Sequence, residues 1–189
     1  MNTRVFVSES GNEYIATENE LKSMTLLNTL HRDLLLAKEL VYDVCGLELK
    51  NVQVHNESTE YAACSFELNG NKIEHRCSKI TPTKVGQFIT IWKRNMEGIT
   101  APFDISDGID FIIITARSGD NFGQFIFPIT ILAERAIVSR NGKSGKRGIR
   151  VYPPWEKPTS KQAMETQEWQ SIFFVAPKSG FSNIILNAL

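Results

Sequence analysis

The sequence predicts an α+β domain, a mixed, largely antiparallel sheet flanked by helices. Three observations carry that expectation. Strand-like runs crowd residues 57–152, helical periodicity is confined to the two ends, and Asn69-Gly70 separates two alternating segments. The 189 residues suit one domain, 1–189, which at this size buries roughly 70% of its unfolded surface.

Residues Met1–Ala16 mix charged and small polar side chains and lack the apolar stretch of a signal peptide. Thr17-Glu18-Asn19-Glu20 has capping-box spacing and opens a helical segment over about 17–45. Leu30, Leu34, Ala37, Val41 and Val44 recur at spacings of four and three, forming its core stripe, and Gly46 ends it. Glu60–Leu68 and Asn71–Lys79 form a hairpin, because Asn-Gly tolerates the positive φ of a two-residue turn. The register then sets Leu68 opposite Asn71, Glu67 opposite Lys72, Phe66 opposite Ile73 and Cys64 opposite His75. Further along it sets Ala62 opposite Cys77 and Glu60 opposite Lys79.

Gly86–Lys93, Phe111–Arg117 and Phe122–Phe127 read as strands, the second nearly all apolar and therefore central. Pro128 opens a short helix to Arg135, with proline at its first position. Residues 141–148 form a polar loop, and Ile149–Tyr152 a strand stopped by Pro153-Pro154. Ser160 caps a helix over about 160–174. The triplet GQF opens two strands, at Gly86 and at Gly123.

Charge is informative only locally. Lys plus Arg number 21 and Asp plus Glu number 21, so nothing attracts polyanions globally. Residues 72–94, however, hold six cations against Glu74 alone, and residues 139–161 hold seven against Glu156 alone. Arg76, Lys93, Arg94, Lys146, Arg147 and Arg150 are candidate phosphate contacts. Tyr152 and Trp155 interleave with the second run and are candidate stacking platforms for unpaired bases. The competing expectation is a solvated basic loop with Trp155 packed over the core. The loop Asn141–Gly148 lacks the GxxxxGK[ST] spacing, which disfavours a nucleotide triphosphatase.

Nucleophilic triads are not evident. His31, His55 and His75 read as structural, and Cys45, Cys64 and Cys77 as reduced thiols without zinc spacing. No apolar run approaches the ~20 residues of a membrane helix, and the expected location is the cytoplasm. Glu60 and Lys79 are the best catalytic-type pair, able to orient a water beside a metal, with Lys84 and Gln87 close in sequence. A simple cross-strand ion pair is the alternative.

The strings HRCSKITPTKVGQFITIWKR, FGQFIFP, GKRGIRVYPPW and KQAMETQEWQ resemble the signature blocks of the MepB family, across roughly Glu57 to Phe174. The resemblance implies a fold of the restriction-endonuclease-like, PD-(D/E)xK type and contact with nucleic acid. It would place Gln162 and Gln167, with the cations named above, on one functional surface. A cleavage site of that type needs an acidic residue and then (D/E)-x-K on the next strand. Cys77 stands two before Lys79, so the expected site is degenerate.

The reading is therefore a nucleic-acid-binding protein with a nuclease-like fold. One alternative is a metal-dependent nuclease using Mg²⁺ or Mn²⁺. Another is a small-molecule or protein-binding accessory module of a drug-efflux system, with Trp92, Trp155 and Trp169 lining an apolar pocket. The first reading requires the two basic segments to fold against one another, with Lys79 and Arg150 on the same side of the molecule.

Overall fold

The structure, a computed structural model, describes residues 30–177 together with the strands β1 (Thr3–Val7) and β2 (Glu13–Thr17), which form an antiparallel pair. A six-stranded mixed sheet makes the centre. Its order is β13 (Phe174–Val175), β11 (Asn121–Pro128), β10 (Phe111–Ser118), β5 (Asn71–Cys77), β4 (Cys64–Leu68) and β3 (Leu49–Val54). Its neighbours are antiparallel except β5 and β10, which run parallel. A second sheet of three strands orders β12 (Gly148–Val151), β7 (Lys84–Thr90) and β6 (Lys79–Thr81). A small hairpin pairs β8 (Trp92–Arg94) with β9 (Thr100–Pro102).

Hairpin β4–β5 has the register that the Asn-Gly turn dictates. Cys64 faces His75, Phe66 faces Ile73, Glu67 faces Lys72 and Leu68 faces Asn71. Both turn residues carry positive φ, 50° at Asn69 and 85° at Gly70. Pairing ends at Cys64, so Ala62 does not face Cys77, and Lys79 opens a strand of the other sheet.

Both faces of the large sheet are covered, giving two apolar clusters. Helix α1 (Arg32–Ala37) runs into a π-turn at Lys38–Tyr42 and lays Leu34, Ala37, Val41 and Tyr42 against Cys64, Phe66, Leu68, Ile73 and Ile113. The opposite face brings Ile112, Ile114, Phe125 and Phe127 against Ile89, Ile91, Ile149 and Val151 of the second layer, and against α2 (Ile129–Glu134). Helix α3 (Lys161–Ser171), capped by Ser160 Oγ on the Ala163 N–H, closes one edge.

Several expectations need correction. Thr17 ends a strand, and α1 is shorter than expected; residues 18–29, where the helix start was placed, lie outside the described residues. Val44 leaves the core stripe and is 71% exposed, because the extra residue of the π-turn rotates the chain beyond it. Tyr42 and Leu47 take the buried positions instead. Pro128 ends β11 and precedes the helix rather than beginning it. The strand expected at Gly86–Lys93 breaks at Ile91 into β7 and β8. Strands β1, β2, β3, β6, β9 and β13 were not foreseen, and α3 stops at Ser171. No helix among the described residues is long and apolar enough to cross a membrane.

Candidate functional site

The outer face of the three-stranded sheet forms the floor of a cleft of about 550 Å³. Alternation sends Ile89, Ile149 and Val151 inward and Phe88, Arg150 and Tyr152 outward. Two glycines let the outward rings lie close to the backbone. A Cβ on Gly148 would sit 2.6 Å from Phe88 Cζ, and one on Gly86 would sit 2.6 Å from Tyr152 Cε1. Gly86 also adopts a φ of +82°, which L-residues rarely take. Lys79 and Arg150 both pair with Phe88, from opposite neighbouring strands, so they lie in one row on one face. The two basic segments meet here in part, through Lys79 and Lys84 of the first and Lys146 and Arg150 of the second.

Four cations line this cleft: Lys84, Arg135, Lys146 and Arg150. No carboxylate among the described residues lines it. Lys84 and Lys146 are exposed, and neither forms an ion pair among the described residues. Arg150 is anchored: its guanidinium donates to the Gly86 carbonyl at 2.8 Å and to Thr81 Oγ1 at 2.7 Å, and packs 6.0 Å from the Phe88 ring centre. Arg135 stacks over Trp169 at 5.0 Å. Arg135 carries no local mark in the sequence, because it ends an apolar helix outside either basic run.

Helix α3 forms one wall and is latched by amides. The Gln170 side chain accepts from the Tyr152 N–H at 2.8 Å and donates to the Arg150 carbonyl at 3.0 Å, acting as a substitute strand on the edge of β12. Gln167 donates to the Pro153 and Glu156 carbonyls at 3.0 and 2.9 Å, fixing the Pro-Pro-Trp turn. Gln167 is therefore committed to holding the wall. Gln162 lies on the cleft lining with its side chain exposed.

Other candidates lie elsewhere. Gln87 is fully buried; it accepts from Ser78 Oγ at 2.6 Å and donates to the Arg117 carbonyl at 3.2 Å. Gln124, in the second GQF, is buried likewise, bonded to Tyr42 and Thr115. The motif is thus a structural device: a glycine under an aromatic ring, then a glutamine bridging strands. Trp155 packs edge-on against Phe174, ring centres 5.5 Å apart, and stacks inward rather than on a ligand. Arg147 is exposed beside the cleft, its carbonyl accepting from the Ile91 N–H. Glu60 and Lys79 make an exposed pair at 3.1 Å, with Lys79 Nζ 5.1 Å from the Tyr61 ring centre.

Arg76, Lys93 and Arg94 fall into a separate cavity of about 450 Å³. There each meets its own carboxylate: Arg76 with Glu74 at 3.1 Å, Lys93 with Asp107, and Arg94 with Glu57. Arg76 is 3% exposed and also donates to the His75 carbonyl. Burial holds the Glu74 carboxyl above the usual carboxylate range, despite Arg76 and His55 beside it. The three tryptophans share no pocket: Trp92 lines this cavity, Trp169 lines the cleft and Trp155 packs inside.

His75 is fully buried, its Nε2 2.9 Å from Thr115 Oγ1 and its Nδ1 3.6 Å from Cys64 Sγ. Gln124 donates to that same hydroxyl, linking it to the buried imidazole. Burial, with Arg76 nearby, lowers the His75 pKa to about 3, so the ring is neutral. This chain from Tyr42 to Cys64 knits the sheet and the π-turn after α1 together.

The MepB-like family model matches residues 55–176. The crystal structure of MepB is similar, with TM-score 0.69 and 27% identity, over 80% of this chain and 100% of that chain. A bacterial homing endonuclease overlaps more loosely, with TM-score 0.43 and 11% identity, over 83% of this chain and 94% of that one. No curated protein matches the sequence.

Proposed function

The chain belongs to the MepB-like family, and from its cleft we propose that it binds single-stranded or locally opened nucleic acid. One observation carries this reading. Segments far apart in sequence deliver Lys84, Arg135, Lys146 and Arg150 to one concave surface with aromatic side chains and, among the described residues, no lining carboxylate. Cations neutralise phosphates, and the aromatic rings of Phe88 and Tyr152 beside them can stack on bases. The polar wall at Gln162 adds a donor and an acceptor for base edges. An accessory module for apolar drugs fits this surface less well, since four cations on one lining favour an anion.

Binding without cleavage is the preferred form. The Glu60–Lys79 pair is exposed and has one carboxylate, which holds Mg²⁺ or Mn²⁺ poorly by itself. The test is a fluorescence-anisotropy titration with labelled single-stranded and duplex oligonucleotides at low salt. Tighter binding of the single strand supports the reading, and no binding of either removes it. A parallel incubation with Mg²⁺ or Mn²⁺ reads cleavage. Cleavage abolished by Glu60→Ala and Lys79→Ala would replace the binding-only form.

A further inference from the structure

Away from the cleft, the first turn of α1 meets the end of β5. We infer that His31, Asp33 and Cys77 form a binding site for a thiophilic divalent cation of the zinc type. Their donor atoms all lie within 4.8 Å of one another. His31 Nδ1 is 3.6 Å from Cys77 Sγ and 4.0 Å from Asp33 Oδ2. A tetrahedral zinc ion, with bonds of about 2.0–2.1 Å to nitrogen and oxygen and about 2.3 Å to sulfur, needs edges of about 3.6 Å (N to S) and about 3.4 Å (N to O). The first edge is already met, and the second closes by a small turn of the Asp33 carboxylate.

The supporting shell suits a metal. Arg117 donates to Asp33 Oδ1 at 2.7 Å and orients the carboxylate, leaving Oδ2 as the oxygen near the imidazole. Gln87 in turn holds the Arg117 carbonyl, and Ser78 beside Cys77. Cys77 and Arg117 lie near the carboxyl ends of β5 and β10, a parallel pair, so the two strands deliver them to the same end of the sheet. Cys77 is buried and His31 is exposed, so the ligand set opens to solvent on one side and leaves a fourth position for water. A thiolate and a carboxylate would together balance the dication. Sulfur and imidazole donors disfavour Mg²⁺ and Ca²⁺. Binding redirects the Nδ1 lone pair, which accepts from the Asp33 N–H at 3.2 Å, and releases the thiol proton to solvent.

The site is read by titrating the chelator-stripped full chain with Co²⁺. A single bound equivalent with a sulfur-to-cobalt charge-transfer absorption, displaced by Zn²⁺, is the expected result. Cys77→Ser abolishes that absorption. His31→Asn retains an N-capping acceptor and weakens Co²⁺ binding by about tenfold or more. Cys45→Ser, altering a thiol elsewhere, changes neither. The inference is overturned if the wild-type chain shows no charge-transfer absorption, or if that absorption survives in Cys77→Ser. Should Cys77→Ser fail to fold by circular dichroism, unchanged Co²⁺ affinity in the exposed-site variant His31→Asn overturns it instead.

Discussion

Replacing Lys84 and Lys146 with alanine isolates the electrostatics of the cleft from its architecture. Both side chains are exposed and line the cleft. For a single strand the logarithm of affinity falls with the logarithm of salt by about 0.7 per phosphate neutralised. Four lining cations, if each meets a phosphate, give a slope near −2.8. Affinity then drops about 50-fold between 50 and 200 mM salt. The double variant retains Arg135 and Arg150, so its slope falls to about −1.4 and its loss to about sevenfold over the same range. Arg147→Ala is the matched control, an exposed cation from the same basic run that does not line the cleft. Anisotropy titrations at four or more salt concentrations supply all three slopes. An unchanged slope in the double variant, or an equal fall in Arg147→Ala, refutes the assignment of the cleft as the phosphate site.

Three further outcomes test the scaffold. Gln170→Leu strands the Tyr152 N–H and the Arg150 carbonyl, and denaturant melts should show a loss of about 2–6 kcal/mol, at about 1–3 kcal/mol for each unsatisfied group. Gly148→Ala pushes on the Phe88 ring; calorimetry should show about 1–3 kcal/mol of destabilisation, with weakened oligonucleotide binding in the surviving fold. His75 stays unprotonated down to about pH 3 when folded, whereas its unfolded imidazole takes a proton near pH 6.5. Between those values the unfolded state binds more protons, so stability falls on acidification by about 1.4 kcal/mol per unit, or about 2 kcal/mol from pH 7 to 5. Glu74, with its raised carboxyl, acts in the opposite sense above its ordinary range. Comparing wild type with His75→Gln by urea melts at both pH values isolates the histidine; identical pH dependence in the two chains would rule it out.

Where a local rule had only one solution, the sequence was readable. Asn69-Gly70 fixed a hairpin and its register because few residue pairs accept positive φ at both turn positions. The convergence of Lys84, Lys146 and Arg150 on one face was anticipated from basic clusters with interleaved aromatics. The same clusters misled at Arg76, Lys93 and Arg94. The partners of the last two, Asp107 and Glu57, come from outside residues 72–94, and no window of local charge reveals such pairing. Gln87, a catalytic-type candidate, and Gln167, expected on the nucleic-acid surface, both have their amides consumed by backbone or hydroxyl groups. Val44 followed helical periodicity until one π-turn shifted the phase. The cluster of His31, Asp33 and Cys77 was invisible because Cys77 lies 46 residues from His31.

The balance of 21 cations and 21 anions then acquires a spatial meaning. Around the separate cavity each cation has its own acid, so that region carries little net charge to attract an anion. At the outer cleft the cations line a surface from which carboxylates of the described residues are missing. A chain with no net charge creates little long-range field, so an anionic partner is not drawn from a distance. Under the proposed reading, such a partner would meet the cleft by ordinary diffusion and be held within about 10 Å, the reach of an exposed charge at 0.1 M salt. Salt should therefore act mainly on the dissociation rate of a bound strand and little on its association rate. That separates this surface from a uniformly basic protein, where steering makes association itself strongly salt-dependent.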